Sequence, residues 1–162
     1  ITFAMIIELT PTETQAAALH GVQRRINALR QNFKNRGGDA DHRTGREAWG
    51  LDVEGAAAEM AVAKGLNRFM PFIINTSTAK DDDLNGIHVR STPYAQGHLL
   101  IYKDDFDEKP YVLAVGAIPR FNLKGFCLGK DGKQQKYFRQ TLDGNAFWVP
   151  QDQLKSIERL MF

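Results

Sequence analysis

The sequence predicts an α+β (mixed α/β) fold, a central mixed β-sheet flanked by helices, on three observations. Apolar residues recur at helical spacing up to about Leu66. Beyond about residue 70 the period changes to alternation in short runs separated by charged, Gly- or Pro-containing turns. The order helix, helix, several strands, short helix is that of a sheet covered by helices. At 162 residues, 43% apolar and 25% charged, the chain fits one domain with a proper core. The expected division is a helical part over about 10–66, a sheet part over about 70–150 and a closing helix over 150–161.

Ile6-Ile7-Glu8-Leu9 reads as a short extended piece. Thr10-Pro11-Thr12-Glu13 then carries the reciprocal capping pattern with proline at the first helical position, so a helix starts there. Leu19, Val22, Ile26, Leu29 and Phe33 follow helical spacing. Arg24, Arg25, Arg30, Lys34 and Arg36 make the later turns basic, which reads as a solvated helix end matched to the dipole, with a DNA-phosphate patch as the other reading. Residues 35–45, rich in glycine and charge without apolar period, read as a flexible loop. His42 beside Asp39 and Asp41 lacks regular metal-ligand spacing.

Trp49 to Leu66 is alanine-rich and helical by propensity. Glu59 shares a face with Ala56, Val62, Ala63 and Leu66, which puts a carboxylate on an apolar stripe. Such a carboxylate needs a partner: a metal, an arginine (Arg90 among them) or backbone donors. Glu54 lies on another face and is expected in solvent.

In Ile87 to Thr92, Ile87 and Val89 alternate with His88 and Arg90, so a strand puts His88, Arg90 and Thr92 on one face. Asp83 enters from the preceding turn, with Asp81 and Asp82 as alternative acids. His98 to Tyr102, Tyr111 to Gly116, Phe121 to Leu128 and Ala146 to Val149 read as further strands, the second nearly all apolar and therefore central. Lys130 to Gln140 reads as a polar connection. A last helix is expected from Pro150, with Leu154, Ile157 and Leu160 or Met161 inward. Tyr94, Tyr137, Phe138, Phe147 and Trp148, with Lys103, Lys130, Lys133 and Lys136, read either as edges of the core or as a stacking surface for bases.

An acid, a potential ligand and a cation converging at a strand end are what phosphodiester chemistry uses. The helix Gly55 to Glu59, Asp83, and the strand bearing His88-x-Arg90 resemble the PD-(D/E)XK nuclease superfamily. Its motif is an Asp, a strand with Glu-x-Lys and a Glu on a preceding helix. With Tyr111-Val112-Leu113 and Val149-Pro150-x-x-x-Leu154, these blocks resemble small phage proteins across most of residues 45–160. The resemblance implies a restriction-endonuclease-like fold in a host-cell cytoplasm. It implies a site of Glu59, Asp83 and His88 around a divalent metal, manganese or magnesium, with Arg90 on phosphate. The implied partner is nucleic acid, DNA foremost, or, for an inactive module, nucleic acid or a host protein. His88 and Arg90 depart from the motif. Guanidinium stays protonated, so Arg90 is no general base, and an imidazole ligand suits manganese or zinc better than magnesium.

The charge of +2 and pI near 8.7 require any nucleic-acid contact to come from a local patch. The single Cys127 excludes an internal disulfide and a multi-cysteine zinc site, and its apolar surroundings read as burial. Ile1 to Ile7 is too short for a membrane span and has no signal-peptide pattern, so a protein that is neither membrane-bound nor exported is expected. No Gly-x-Ser-x-Gly or Walker motif occurs.

Overall fold

Thr10 and Glu13 form the reciprocal cap the sequence predicts. The Thr10 amide donates to Glu13 Oε2 at 2.8 Å and the Glu13 amide to Thr10 Oγ1 at 3.2 Å. In a computed structural model, which describes residues 5–30, 45–73, 82–141 and 144–161, this cap opens α1 (Pro11–Arg30) directly after β1 (Met5–Glu8). Helix α2 (Arg46–Gly65) returns beside α1. Then follow β2 (His88–Thr92), β3 (Leu99–Ile101), β4 (Pro110–Ala117), β5 (Arg120–Leu128), the single turn α3 (Gly129–Gly132), β6 (Phe138–Thr141) and β7 (Gly144–Val149). The fold is α+β, as predicted. The expected loop over 35–45, with Asp39, Asp41 and His42, lies outside the described residues except Gly45, as do Phe33, Lys34, Arg36 and Asp81.

The strands form two sheets instead of one. The larger is mixed, in the order β1-β5-β4-β2, with β2 parallel to β4 and the other pairs antiparallel. The smaller is antiparallel, in the order β3-β7-β6. Alternation along β4 explains how they stack. Val112 and Ala114 point into a core shared with the helices, where Ala57, Ala58, Ala61, Val62 and Leu66 meet Val89, Leu123 and Phe126. Tyr111, Leu113 and Val115 point to the other side and, with Cys127, pack on Leu99, Ile101 and Val149 of the second sheet. The described helices therefore cover one face of the larger sheet and the smaller sheet covers the other, in place of helices on both.

Two further expectations are corrected. The stretch 130–140 contains a helical turn, a 3-10 turn at Gln135–Tyr137 and the start of β6. The closing segment holds two 3-10 turns, Gln151–Gln153 and Ile157–Leu160, and no α-helix. Between those turns the backbone of Lys155 exchanges hydrogen bonds with Phe126 at 2.8 and 3.0 Å. Leu154 thereby enters one core and Ile157 the other. Gly125 permits this crossing: it sits at φ +136 beside a bulge in β5, and a Cβ there would lie 2.5 Å from the Lys155 carbonyl oxygen.

Helix α1 is turned in an unexpected sense. Its buried residues are Ala17, His20, Gly21 and Arg25, while Leu19, Ile26 and Leu29 are 59%, 41% and 56% exposed. Arg24 and Arg25, expected in solvent, both reach inward. Arg25 Nε donates to Asp52 at 2.6 Å. Gly21 lets the helices touch, because a Cβ there would lie 2.5 Å from Val53 Cα and 2.6 Å from the Asp52 carbonyl oxygen. Both obstacles are backbone, so no side-chain rotation relieves them. Gly21→Ala should therefore destabilise the fold by about 2 kcal/mol despite its better helix propensity. Urea unfolding checks this; an unchanged or raised midpoint would show that the helices are not in contact at this position.

Candidate functional site

Glu59 is buried on α2, among small side chains that bring the helix close to the sheet. Its partner is Arg24, not Arg90. Arg24 Nη1 and Nη2 donate to Glu59 Oε1 and Oε2 at 2.7 and 2.5 Å, a two-pronged pair that occupies both carboxylate oxygens. Burial first, and then the negative charge of Asp83, push the Glu59 carboxyl up to about 8, against the opposing pull of Arg24 and Arg90. Arg24 is itself held above its ordinary value by Glu59, against its own burial. Arg24 was legible in the sequence only as one of several basic residues, since nothing local marks it as inward.

His88 and Arg90 project from the face of β2 opposite Val89, hence away from α2 and toward the second sheet. His88 stacks on Tyr111 with ring centroids 4.8 Å apart and planes at 10°, and on Phe106 at 6.4 Å. Arg90 Nη2 donates to both oxygens of the buried Asp105 at 3.0 and 3.2 Å, and its guanidinium lies 5.2 and 5.6 Å from the Tyr111 and Tyr102 rings. Asp105 also accepts from the Tyr102 amide at 2.8 Å, and its carbonyl accepts from Lys133. Asp105 was missed in the sequence, where it reads as part of a charged turn.

Asp83 joins the two halves. Its Oδ2 accepts from the Val89 amide at 2.7 Å and stands 3.9 Å from His88 Nδ1, and its charge reaches Glu59 and Arg24 across the strand end. The four expected residues thus cluster around the start of β2, with Glu59 on one side of the strand and His88 and Arg90 on the other. Asp82, the alternative acid, accepts from Lys109 at 2.9 Å through Oδ2. Its Oδ1 lies 3.2 Å from His88 Nε2, and both atoms are buried without a hydrogen-bond partner. Burial, the largest influence, lowers the His88 pKa, which favours the neutral ring, whose single proton serves Asp82 only in the Nε2–H tautomer. In the Nδ1–H tautomer the bare Nε2 would face Asp82 Oδ1, and a cation between them would relieve that contact. Among the described residues no three His, Cys, Asp or Glu side chains converge as metal ligands.

Other expected features sort differently. Glu54, expected in solvent, is half-buried and accepts from the Ile118 amide at 3.1 Å. Tyr137 is buried, and Phe138 and Phe147 pack edge to face against each other at 5.5 Å. Lys130 and Lys133 are held by Glu108 and Asp107. Tyr94 and Trp148 remain open, at 75% and 37% exposure. Cys127 is buried, with burial pushing its thiol up to about 12. No helix among the described residues is long and apolar enough to cross a membrane. No protein-family model matches the chain, and no curated protein or solved structure matches it significantly.

The Glu59–Arg24 pair should behave as one unit. Arg24→Met leaves a buried acid uncompensated and should cost about 3–5 kcal/mol, whereas adding Glu59→Gln should recover a large part of that loss. A denaturation double-mutant cycle reads this; strictly additive losses would mean the two side chains do not interact.

His20, on the same helix face as Arg24, is buried with neither ring nitrogen hydrogen-bonded and meets Phe72 edge to face at 5.4 Å. Burial, then the Arg24 charge, lowers its pKa from 6.5 to about 4. A folded value below the unfolded one means the stabilising contribution is complete above about pH 7. It is lost as the pH falls through 6.5 toward 4, an effect of about 3 kcal/mol at most. Unfolding followed from pH 7.5 to 4 should show an acid-side loss that shrinks in His20→Leu; an unchanged loss would assign acid sensitivity to the carboxylates alone.

Proposed function

We propose that the protein is a nuclease-like module that binds nucleic acid without cutting it, the polar cluster at the start of β2 serving to hold the fold. The observation that carries this reading is the closed pairing of the cluster. Both Glu59 oxygens are occupied by Arg24, and Arg90 is engaged by Asp105 between two tyrosines. A metal-assisted hydrolysis needs carboxylate oxygens open to an ion and positive charge open to phosphate. Here the Glu59 oxygens and the Arg90 charge are already committed inside the protein.

Binding is supported by the outer face of the smaller sheet. Leu100 and Trp148 are register partners and share that face; Trp148 lies 5.8 Å from His98, and the exposed Arg139 pairs in register with Ala146 on the same side. An exposed indole beside an imidazole offers a stacking platform suited to unpaired bases, and Arg139, whose Nη1 donates to the Lys136 and Phe138 carbonyls at 3.3 and 2.9 Å, adds positive charge to the same side of the sheet. A second reading rests on Asp82 and His88, whose facing, unpartnered oxygen and nitrogen would fit, in the Nδ1–H tautomer, a transition ion better than magnesium. There the residues would hold a divalent ion, which supplies an activated water when bound, while Asp83 orients the strand end through the Val89 amide.

The test is twofold. Labelled single- and double-stranded DNA and RNA, incubated with magnesium or manganese, should remain uncut, while anisotropy should report single-strand binding that Trp148→Ala weakens roughly 10-fold. Manganese-dependent cleavage lost in Asp83→Ala and His88→Ala would replace this reading with the second. Neither cleavage nor binding would leave the inactive module with a host protein as its partner.

A further inference from the structure

The outward face of α1 carries the apolar series that gives the helix its period. Leu19, Ile26 and Leu29 are 59%, 41% and 56% exposed, and Val22 beside them is half-buried. The spacings along Leu19, Val22, Ile26 and Leu29 are three, four and three residues, so they read the same from either end. They are also the alternating spacings of a two-stranded helical seam.

We infer that this face pairs with its own counterpart on a second copy of the chain, the two α1 helices packing antiparallel about a two-fold axis. In that arrangement Leu19 meets Leu29 of the second copy and Val22 meets Ile26, both pairings arising twice by symmetry. Gln23 falls beside the axis, facing its own copy, where an amide can both donate and accept. Along the described length of α1 the flanks bring no two free like charges together. Arg25, on the other flank, is turned inward and held by Asp52, and Arg30 falls opposite Ala16. The stripe has no charge of its own, with Gln15 and Gln23 as its exposed polar neighbours, which suits an apolar partner of the same kind and not a phosphate backbone. Leu19 to Leu29 spans about 15 Å, a contact below the usual size of a permanent interface, so the dimer should be reversible with a Kd on the order of 10 μM.

Sedimentation equilibrium of the full chain up to about 500 μM should show a concentration-dependent monomer–dimer equilibrium. Ile26→Glu should raise the dissociation constant roughly 100-fold or more, because it sets two carboxylates into the seam, with the far-ultraviolet circular dichroism unchanged. Independently of that variant, Gln23→Cys should cross-link into a covalent dimer under mild oxidation, since its sulfur faces its own copy near the axis. Thr12→Cys, at the helix start and far from its counterpart, should not. A monomeric wild type at the highest concentration overturns the proposal and leaves the stripe to a different partner. A dimer indifferent to Ile26→Glu, or equal cross-linking of the two cysteine variants, overturns it as well.

Discussion

A carboxylate buried between a helix and a sheet is the constraint on which the rest of the arrangement depends. Glu59 lies in the same core face as Ala56, Val62 and Ala63, and an unpaired charge there would cost several kcal/mol. Arg24 offsets that cost by reaching across from α1 with both guanidinium nitrogens. An exposed ion pair such as Glu8–Arg120 contributes at most about 1 kcal/mol, so it constrains nothing comparable.

The rotation of α1 follows from this pairing. With 3.6 residues per turn, a helix that turns Arg24, Arg25, His20 and Gly21 toward α2 must turn Leu19, Val22 and Ile26 away from it. The polar side of the helix is therefore inside and the aliphatic side outside, the reverse of an ordinary amphipathic surface helix. The close contact at Gly21 and the buried, neutral His20 belong to the same choice. The helix contact and the exposed stripe thus belong to the one orientation that pairs Arg24 with Glu59 and Arg25 with Asp52.

The strand β2 divides the polar cluster by its own geometry. Alternate side chains leave a strand on opposite faces, so Val89 joins the helical core while His88 and Arg90 join the aromatic side formed by Tyr111, Phe106 and Tyr102. Asp83 reaches both sides because it lies in the turn before the strand, and it spends one oxygen fixing the Val89 amide. Asp105 completes the far side as the anion for Arg90. A cluster split in this way is well suited to tying two cores together at one strand end, with Glu59 held by Arg24 and Arg90 held by Asp105.

The sequence by itself determined what short-range physics controls. The cap at Thr10 and Glu13, the positions of α2 and of strands β2, β4 and β5, the burial of Glu59 and Cys127, and the face shared by His88 and Arg90 all follow from local pattern, because propensity, capping and periodicity act within a few residues. Only the tertiary structure decided partners and orientation. Arg24 as the counter-ion of Glu59 and Asp105 as that of Arg90 lie 35 and 15 residues away along the chain, and one sequence shows no reason to prefer them over other basic or acidic residues. The split into two sheets was hidden because β3 and β6 are only three and four residues long, with alternation equally suited to either sheet. The outward turn of the apolar stripe on α1 was hidden for a deeper reason. Periodicity fixes which residues share a face, but only the pairing energy of a distant acid fixes which face goes in.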